Sequence, residues 1–176
     1  MPEKPKRPGG APPAVKIKPV EELAPLLQEA RRSGKSVVFT NGCFDLLHAG
    51  HVRYLAAAAA EGDLLVVGLN SDRSVQAIKG QLRPIVPAAE RAEVLAALGC
   101  VDFVTVFDEA DPLKLIQALQ PDVLVKGADW AEAEIIGADV VRRRGGRVVR
   151  IPVVEGSGTS ALIERIIDRY GQGRGA

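Results

Sequence analysis

The only imidazoles in this 176-residue chain are His48 and His51, three positions apart in the run His48-Ala49-Gly50-His51. If that run opens a helix, both rings lie on one face of its first turn. Gly50 between them lets a ligand approach the backbone, and the free amides and positive dipole end of a helix start favour a phosphate. Imidazole N–H groups aimed there would donate to phosphoryl oxygens as negative charge builds in a transition state. Other readings compete on spacing alone. One histidine could cap the helix while the other packs in the core. A zinc site would want a third histidine or a cysteine pair at ligand spacing, and the chain has neither. Cys43 with His48 suggests a thiol nucleophile, but no separate histidine with an orienting partner of the usual acyl-transfer kind exists. Cys43 reads more simply as a small residue in a tight turn whose amides face a ligand.

Further groups suited to anions follow along the chain. Lys79-Gly80, with Arg83 and Pro84 close behind, falls in a stretch expected to be irregular, where a mobile loop could close on an anionic substrate or simply lie solvated. Arg91 shares a helical stripe with Val94, Leu95 and Leu98, and an inward-facing charge wants a partner, which a bound phosphate would supply. Gly156-Ser157-Gly158-Thr159-Ser160 precedes the last amphipathic pattern, as a second anion cradle or an ordinary N-cap. The run Arg142 to Arg144 reads as a solvated helix end matched to the dipole.

The elements that must position these groups alternate. Short apolar runs at Val37–Thr40, Leu64–Leu69, Phe103–Phe107, Val123–Val125 and Val148–Ile151 predict strands. Helical patterns cover about Val20 to Gly34, Gly50–Ala60, Ala88–Leu98, Pro112–Leu119, Glu132–Arg144 and Thr159–Tyr170. Strands that do not alternate polar and apolar residues are buried on both faces, so the fold class is α/β, a Rossmann-like open parallel five-stranded sheet with helices on both faces. Right-handed crossovers leave all strand C-termini on one edge, where such sheets bind ligands. The polar chemistry collects just after the strands, at Asn41 to Asp45, Asn70-Ser71-Asp72, Asp108, Lys126 to Asp129 and Gly156 to Ser160.

Bulk properties narrow the setting. The 23 lysines and arginines nearly balance 22 acidic residues, so no broad cationic field is available for nucleic acid or an anionic membrane. Two cysteines make no disulfide framework, and no run has transmembrane or signal-peptide character, which leads us to expect a cytoplasmic protein. Residues 1–19 are expected to be a disordered tail, 20–170 one domain, and 171–176 a flexible end.

The arrangement Asn41-Gly42-Cys43-Phe44-Asp45 followed by His48-Ala49-Gly50-His51 resembles the signature of the cytidylyltransferase-like nucleotidyltransferases, in which the H-x-G-H pair binds nucleotide phosphates. Further matches run from Val37 to Ile166: Asn70-Ser71-Asp72, Lys79-Gly80, the Arg91 helix, Lys126-Gly127-Ala128-Asp129-Trp130, and Glu155-Gly156 leading to Thr159-Ser160. Within the superfamily they are most similar to the adenylyltransferases that make ADP-heptose from D-glycero-β-D-manno-heptose 1-phosphate. There the activity often forms the second half of a fusion with a sugar kinase, and this chain is expected to be the free-standing form.

The resemblance implies catalytic roles for His48, His51 and Lys79. It implies nucleotide contacts from Cys43, Phe44, His48, His51, Lys126, Gly127, Asp129, Gly156, Thr159 and Ser160. Asp45, Asn70, Asp72, Lys79 and Arg91 would bind the substrate. Magnesium would ride on the ATP phosphates with few protein ligands, and a homodimer is expected, with neither nucleic acid nor membrane as partner. Two positions depart from the family pattern: Gly127-Ala128 replaces a glycine pair, and Gly158 stands where a serine is usual. The implied reaction is in-line attack of the sugar phosphate on the α-phosphorus of ATP, with no covalent enzyme intermediate. A cytidylyltransferase acting on a polyol or amino-alcohol phosphate such as glycerol 3-phosphate shares the histidine motif. Val153 and Val154, where such enzymes often carry an arginine, favour ATP. A non-catalytic nucleotide-binding module is the third reading, and the intact His48, His51 and Lys79 argue against it.

Overall fold

The computed structural model describes residues 12–152 and 158–171. Its centre is a parallel sheet of β1 (Val37–Gly42), β2 (Leu64–Asn70), β3 (Phe103–Phe107), β4 (Val123–Gly127) and β5 (Arg147–Ile151), in the order β3-β2-β1-β4-β5. Around it lie α1 (Pro13–Lys16), α2 (Val20–Arg32), α3 (Ala49–Ala59), α4 (Asp72–Lys79), α5 (Ala88–Ala97), α6 (Leu113–Leu119), α7 (Ala138–Arg143) and α8 (Thr159–Tyr170). The apolar strands are explained by what covers each face. Val38 packs with Leu55 and Ala58 of α3 and Leu95 of α5, while its neighbours Val37 and Phe39 pack with Leu23 and Leu27 of α2, Ile116 of α6 and Val141 of α7. Successive residues thus point into two cores, and neither face can be polar.

The strand order places the switch point between β1 and β4, where the chain leaves in opposite directions and a crevice opens. There the ladder is short. β1 pairs with β2 through Gly42↔Leu69, but with β4 only at Val38↔Val123 and Phe39↔Leu124.

Three expectations are corrected. The stretch after β2 is not irregular throughout, because α4 forms within it: the Ser71 hydroxyl accepts from the Ser74 amide at 3.2 Å, a cap that starts a short, largely polar helix. The pattern from Glu132 to Arg144 is not one helix but a 3-10 turn at Glu132–Glu134 followed by α7. Gly137 divides them at φ +84, and a Cβ there would come within 2.6 Å of Ile116. The N-terminal tail does not extend to residue 19. From Pro12 the chain is built into the fold: Ile17 bridges Val104, Lys18 N–H donates to the Val104 carbonyl at 3.0 Å, and Lys16 Nζ donates to the Val101 carbonyl at 2.9 Å. This segment covers the open edge of β3. The rest of the expected N-terminal tail, and residues 172–176, lie outside the described residues.

Candidate active site

A cavity of about 610 Å3 opens at the C-terminal edge of the sheet, over β1 and β4. His48, His51, Lys79, Lys126, Asp129, Thr159 and Ser160, which belong to four separate segments, all line it.

β1 delivers the chain into a tight turn. Phe44 takes φ +43 and buries its ring edge-on to His51, with centroids 5.3 Å apart. Gly42 lies close beneath that ring, where a Cβ would stand 3.0 Å from it and push it aside by a few tenths of an ångström. His48 then caps α3: its Nδ1 accepts the Gly50 N–H at 3.1 Å. The capping reading is therefore correct for His48, but capping occupies one nitrogen only. With Nδ1 an acceptor, the neutral ring carries its proton on Nε2, which remains a donor. His51 stacks on His48 at a centroid distance of 3.9 Å. Burial first, and the neighbouring His48 second, lower its pKa to about 4, while the Leu46 carbonyl works the other way. Among the described residues His51 Nδ1 is buried and makes no hydrogen bond of normal geometry, although the Leu46 carbonyl acts on the ring. Such a group is costly unless a ligand completes it.

The α4–α5 side separates two kinds of expected residue. Lys79 is the last residue of α4, exposed, with Gly80 ending the helix at φ +94. Asp45, expected at the substrate, is 4% exposed and committed to the loop behind Lys79. It accepts from Arg83 Nε at 2.5 Å, Ile85 N at 2.8 Å and Val86 N at 2.9 Å. Burial would raise its pKa, but these donors outweigh burial and hold the carboxyl below its ordinary value. Arg83, which the sequence placed only beside the lysine, joins the cavity wall through this pair.

Arg91 is engaged in the same way. It is 1% exposed and its charge is met by protein, not left for a phosphate: Nη1 donates to the carbonyls of Cys43 and Asn70, Nε to that of Val86, and Nη2 to Asp72 Oδ1 at 2.7 Å. Asp72 is thereby the counter-ion of Arg91, and neither residue lines the cavity. Asn70 does line it, but its Nδ2 is tied to Ser74 Oγ at 2.9 Å. The Cys43 thiol is pushed up by burial against the pull of Lys79, Arg91 and Arg83. That disfavours a thiolate nucleophile.

On the β4 side, Lys126 Nζ bonds Asn41 Oδ1 across the crevice and lies 6.0 Å from the Trp130 ring centre. Burial lowers its pKa to about 8, with Asp129 opposing. Gly127, Asp129 and Trp130 continue the wall, the last two exposed. From α8, Thr159 Oγ1 donates to the Leu46 carbonyl at 3.3 Å, tying the helix start to the histidine loop. Among the described residues nothing lies within 4 Å of a Cβ at Gly158, where the family pattern has serine. Gly156, and with it Val153, Val154 and Glu155, falls outside the described residues. Among the described residues no group of three or more His, Cys, Asp or Glu side chains is placed to hold a metal ion.

The sequence reading missed Asp111 and Pro112 after β3, and Ile135 and Ile136 before α7, which complete the cavity. They carry no motif; only the topology brings them there. Tyr54 was missed too, although its place one turn after His51 was a usable signal.

A family model described as Cytidylyltransferase-like matches residues 39–150. Among curated relatives, the "Bifunctional protein HldE" of Syntrophotalea carbinolica is 56% identical over 158 residues, covering 90% of this chain and 32% of that protein. The protein of the same name from Geobacter metallireducens is 51% identical with the same coverage, 90% and 32%. The chain spans about a third of the length of these relatives. Among solved structures, the lipopolysaccharide core biosynthesis protein of Thermoplasma volcanium superposes with a TM-score of 0.58 at 29% identity, covering 70% of this chain and 100% of that one. Pantoate-beta-alanine ligase of Francisella tularensis, at 18% identity and TM-score 0.58 over 77% of this chain and 66% of its own, shares the fold.

Proposed function

The chain belongs to the cytidylyltransferase-like family, and on that premise we propose that it transfers AMP from ATP to D-glycero-β-D-manno-heptose 1-phosphate, releasing pyrophosphate. One observation carries the reading: two stacked imidazoles at the head of α3 line the cavity, and the Gly50 cap on His48 Nδ1 leaves Nε2 as the donor nitrogen of that ring. The similarity to the HldE proteins supports the choice of nucleotide and acceptor.

In this reading a phosphate oxygen of the acceptor attacks the α-phosphorus in line, and the bond to the bridging oxygen of pyrophosphate breaks. The acceptor phosphate is already anionic, so no general base is needed. His48 and His51 stabilise charge on the transferred group. Lys79 meets phosphate charge as a point cation, and Lys126 with the hydroxyls of Thr159 and Ser160 holds the rest of the nucleotide. Asp45, Asp72 and Arg91 serve by holding the loops, not by touching ligand. Magnesium brought by the triphosphate would fit this site, where Asp111, Asp129 and Glu134 are the wall's carboxylates besides the committed Asp45. It would neutralise phosphate charge. The cytoplasm and a homodimer belong to the same proposal; among the described residues no helix is long and apolar enough to cross a membrane.

The test is pyrophosphate release with magnesium and the heptose 1-phosphate, comparing ATP with CTP and wild type with His51→Ala. Turnover with ATP, and a loss of about 10²–10³-fold in the variant, is expected. A preference for CTP overturns the nucleotide, and inertness with both overturns the reaction.

A further inference from the structure

Beyond Phe39↔Leu124 the β1–β4 ladder stops, and the next residues along the two strands are Thr40 and Val125. A single side chain from outside the sheet spans them. The Tyr54 hydroxyl lies 2.8 Å from Thr40 Oγ1 and donates to the Val125 carbonyl at 3.3 Å. Since that carbonyl can only accept, the phenol spends its one proton there, and Thr40 donates to the phenol oxygen. One position further along, Asn41 and Lys126 are again joined by side chains. Where the two strands part, side-chain bridges replace backbone pairing, and Tyr54 is the first of them.

Tyr54 also stands three residues after His51 on α3, one turn down the same helix, and lines the cavity. A phenylalanine would fill the same space, so the hydroxyl is what this position adds. We infer that Tyr54 is a positioning residue, whose hydroxyl joins β1 to β4 at the mouth of the crevice and so seats the first turn of α3, with His51, over the reacting phosphates. This rests on the adenylyl-transfer reading above. The bridge needs a protonated phenol. Burial chiefly, helped by Asp129 and opposed by the Thr40 bond, pushes the Tyr54 pKa up to about 12 and keeps it so.

Tyr54→Phe, Thr40→Val and the double variant test this by kcat, KM for ATP and thermal melting. Tyr54→Phe is expected to lower kcat by about 10- to 100-fold with KM for ATP little changed, as for a misplaced catalytic group. Thr40→Val should act in the same direction, and the double variant should be no worse than Tyr54→Phe, because each removes the same bridge. Wild-type kcat in both single variants below their melting temperatures, or fully multiplying effects, overturns the inference. Should the wild type itself fail to turn over, the adenylyl-transfer reading falls, and positioning is read from the NMR titration of the His51 ring. Its pKa, lowered to about 4, should then move towards 6.5 in Tyr54→Phe. No movement overturns the inference independently of activity.

Discussion

His48 stacks on His51 at 3.9 Å between ring centroids while its own Nδ1 is held by the Gly50 amide. The cap selects the tautomer of the first ring, and burial with the neighbouring imidazole keeps the second neutral. Two neutral rings can lie in contact where two cations would repel.

Because capping and donation use different nitrogens of His48, they separate by substitution. Asparagine is among the best N-caps, so His48→Asn should melt close to wild type, whereas His48→Ala should lose about 1 kcal/mol of stability. Both lose the Nε2 donor and should lose about 10²-fold in kcat. Wild-type turnover in a stable His48→Asn protein would remove the histidine from the chemistry.

His51 sets a pH dependence of stability. Its folded pKa, about 4, lies below the ordinary imidazole value of 6.5, so the unfolded chain takes up the proton first. The stability it contributes is complete above pH 6.5 and is lost as pH falls through about 4. Urea midpoints measured across this window should fall less steeply for His51→Gln than for wild type.

Lys126 sets a limit on the alkaline side. With its pKa lowered to about 8, it is charged below that pH and neutral above it, so affinity for Mg-ATP should weaken as pH rises through about 8. Lys126→Arg should move this limb to higher pH and Lys126→Met should abolish it. Calorimetric titration with ATP at several pH values reads both; a limb that persists in Lys126→Met belongs to another group.

Arg91 and Lys79, both expected at phosphate, should now fail in different ways. Arg91→Ala leaves the half-exposed Asp72 and three carbonyls without their donor and should cost about 1–3 kcal/mol in urea unfolding. Lys79→Ala, at an exposed position, should leave stability within about 0.5 kcal/mol. Its loss should fall on turnover. A stable Arg91→Ala protein with a raised KM would restore the phosphate role.

Much of this molecule is written in local pattern. Apolar strands such as Leu64 to Leu69 required a sheet covered on both faces, and His48-Ala49-Gly50-His51 after β1 required a helix start at the ligand edge. Both follow from periodicity and chain direction, which neighbouring residues decide among themselves. The buried charge of Arg91 was legible in the same way, as an inward cation on an apolar stripe. Its partners were not: Cys43, Asn70 and Asp72 lie 48, 21 and 19 residues away, and reach it only because β1 and β2 end side by side beneath α5. Asp45 met the loop amides of Ile85 and Val86 for the same reason. Short-range sequence determined which residues stand at the site's edge. Only the tertiary structure decided which of their polar groups protein atoms satisfy and which remain for a ligand, because a hydrogen bond is settled by whatever the packed strands bring within 3 Å of it.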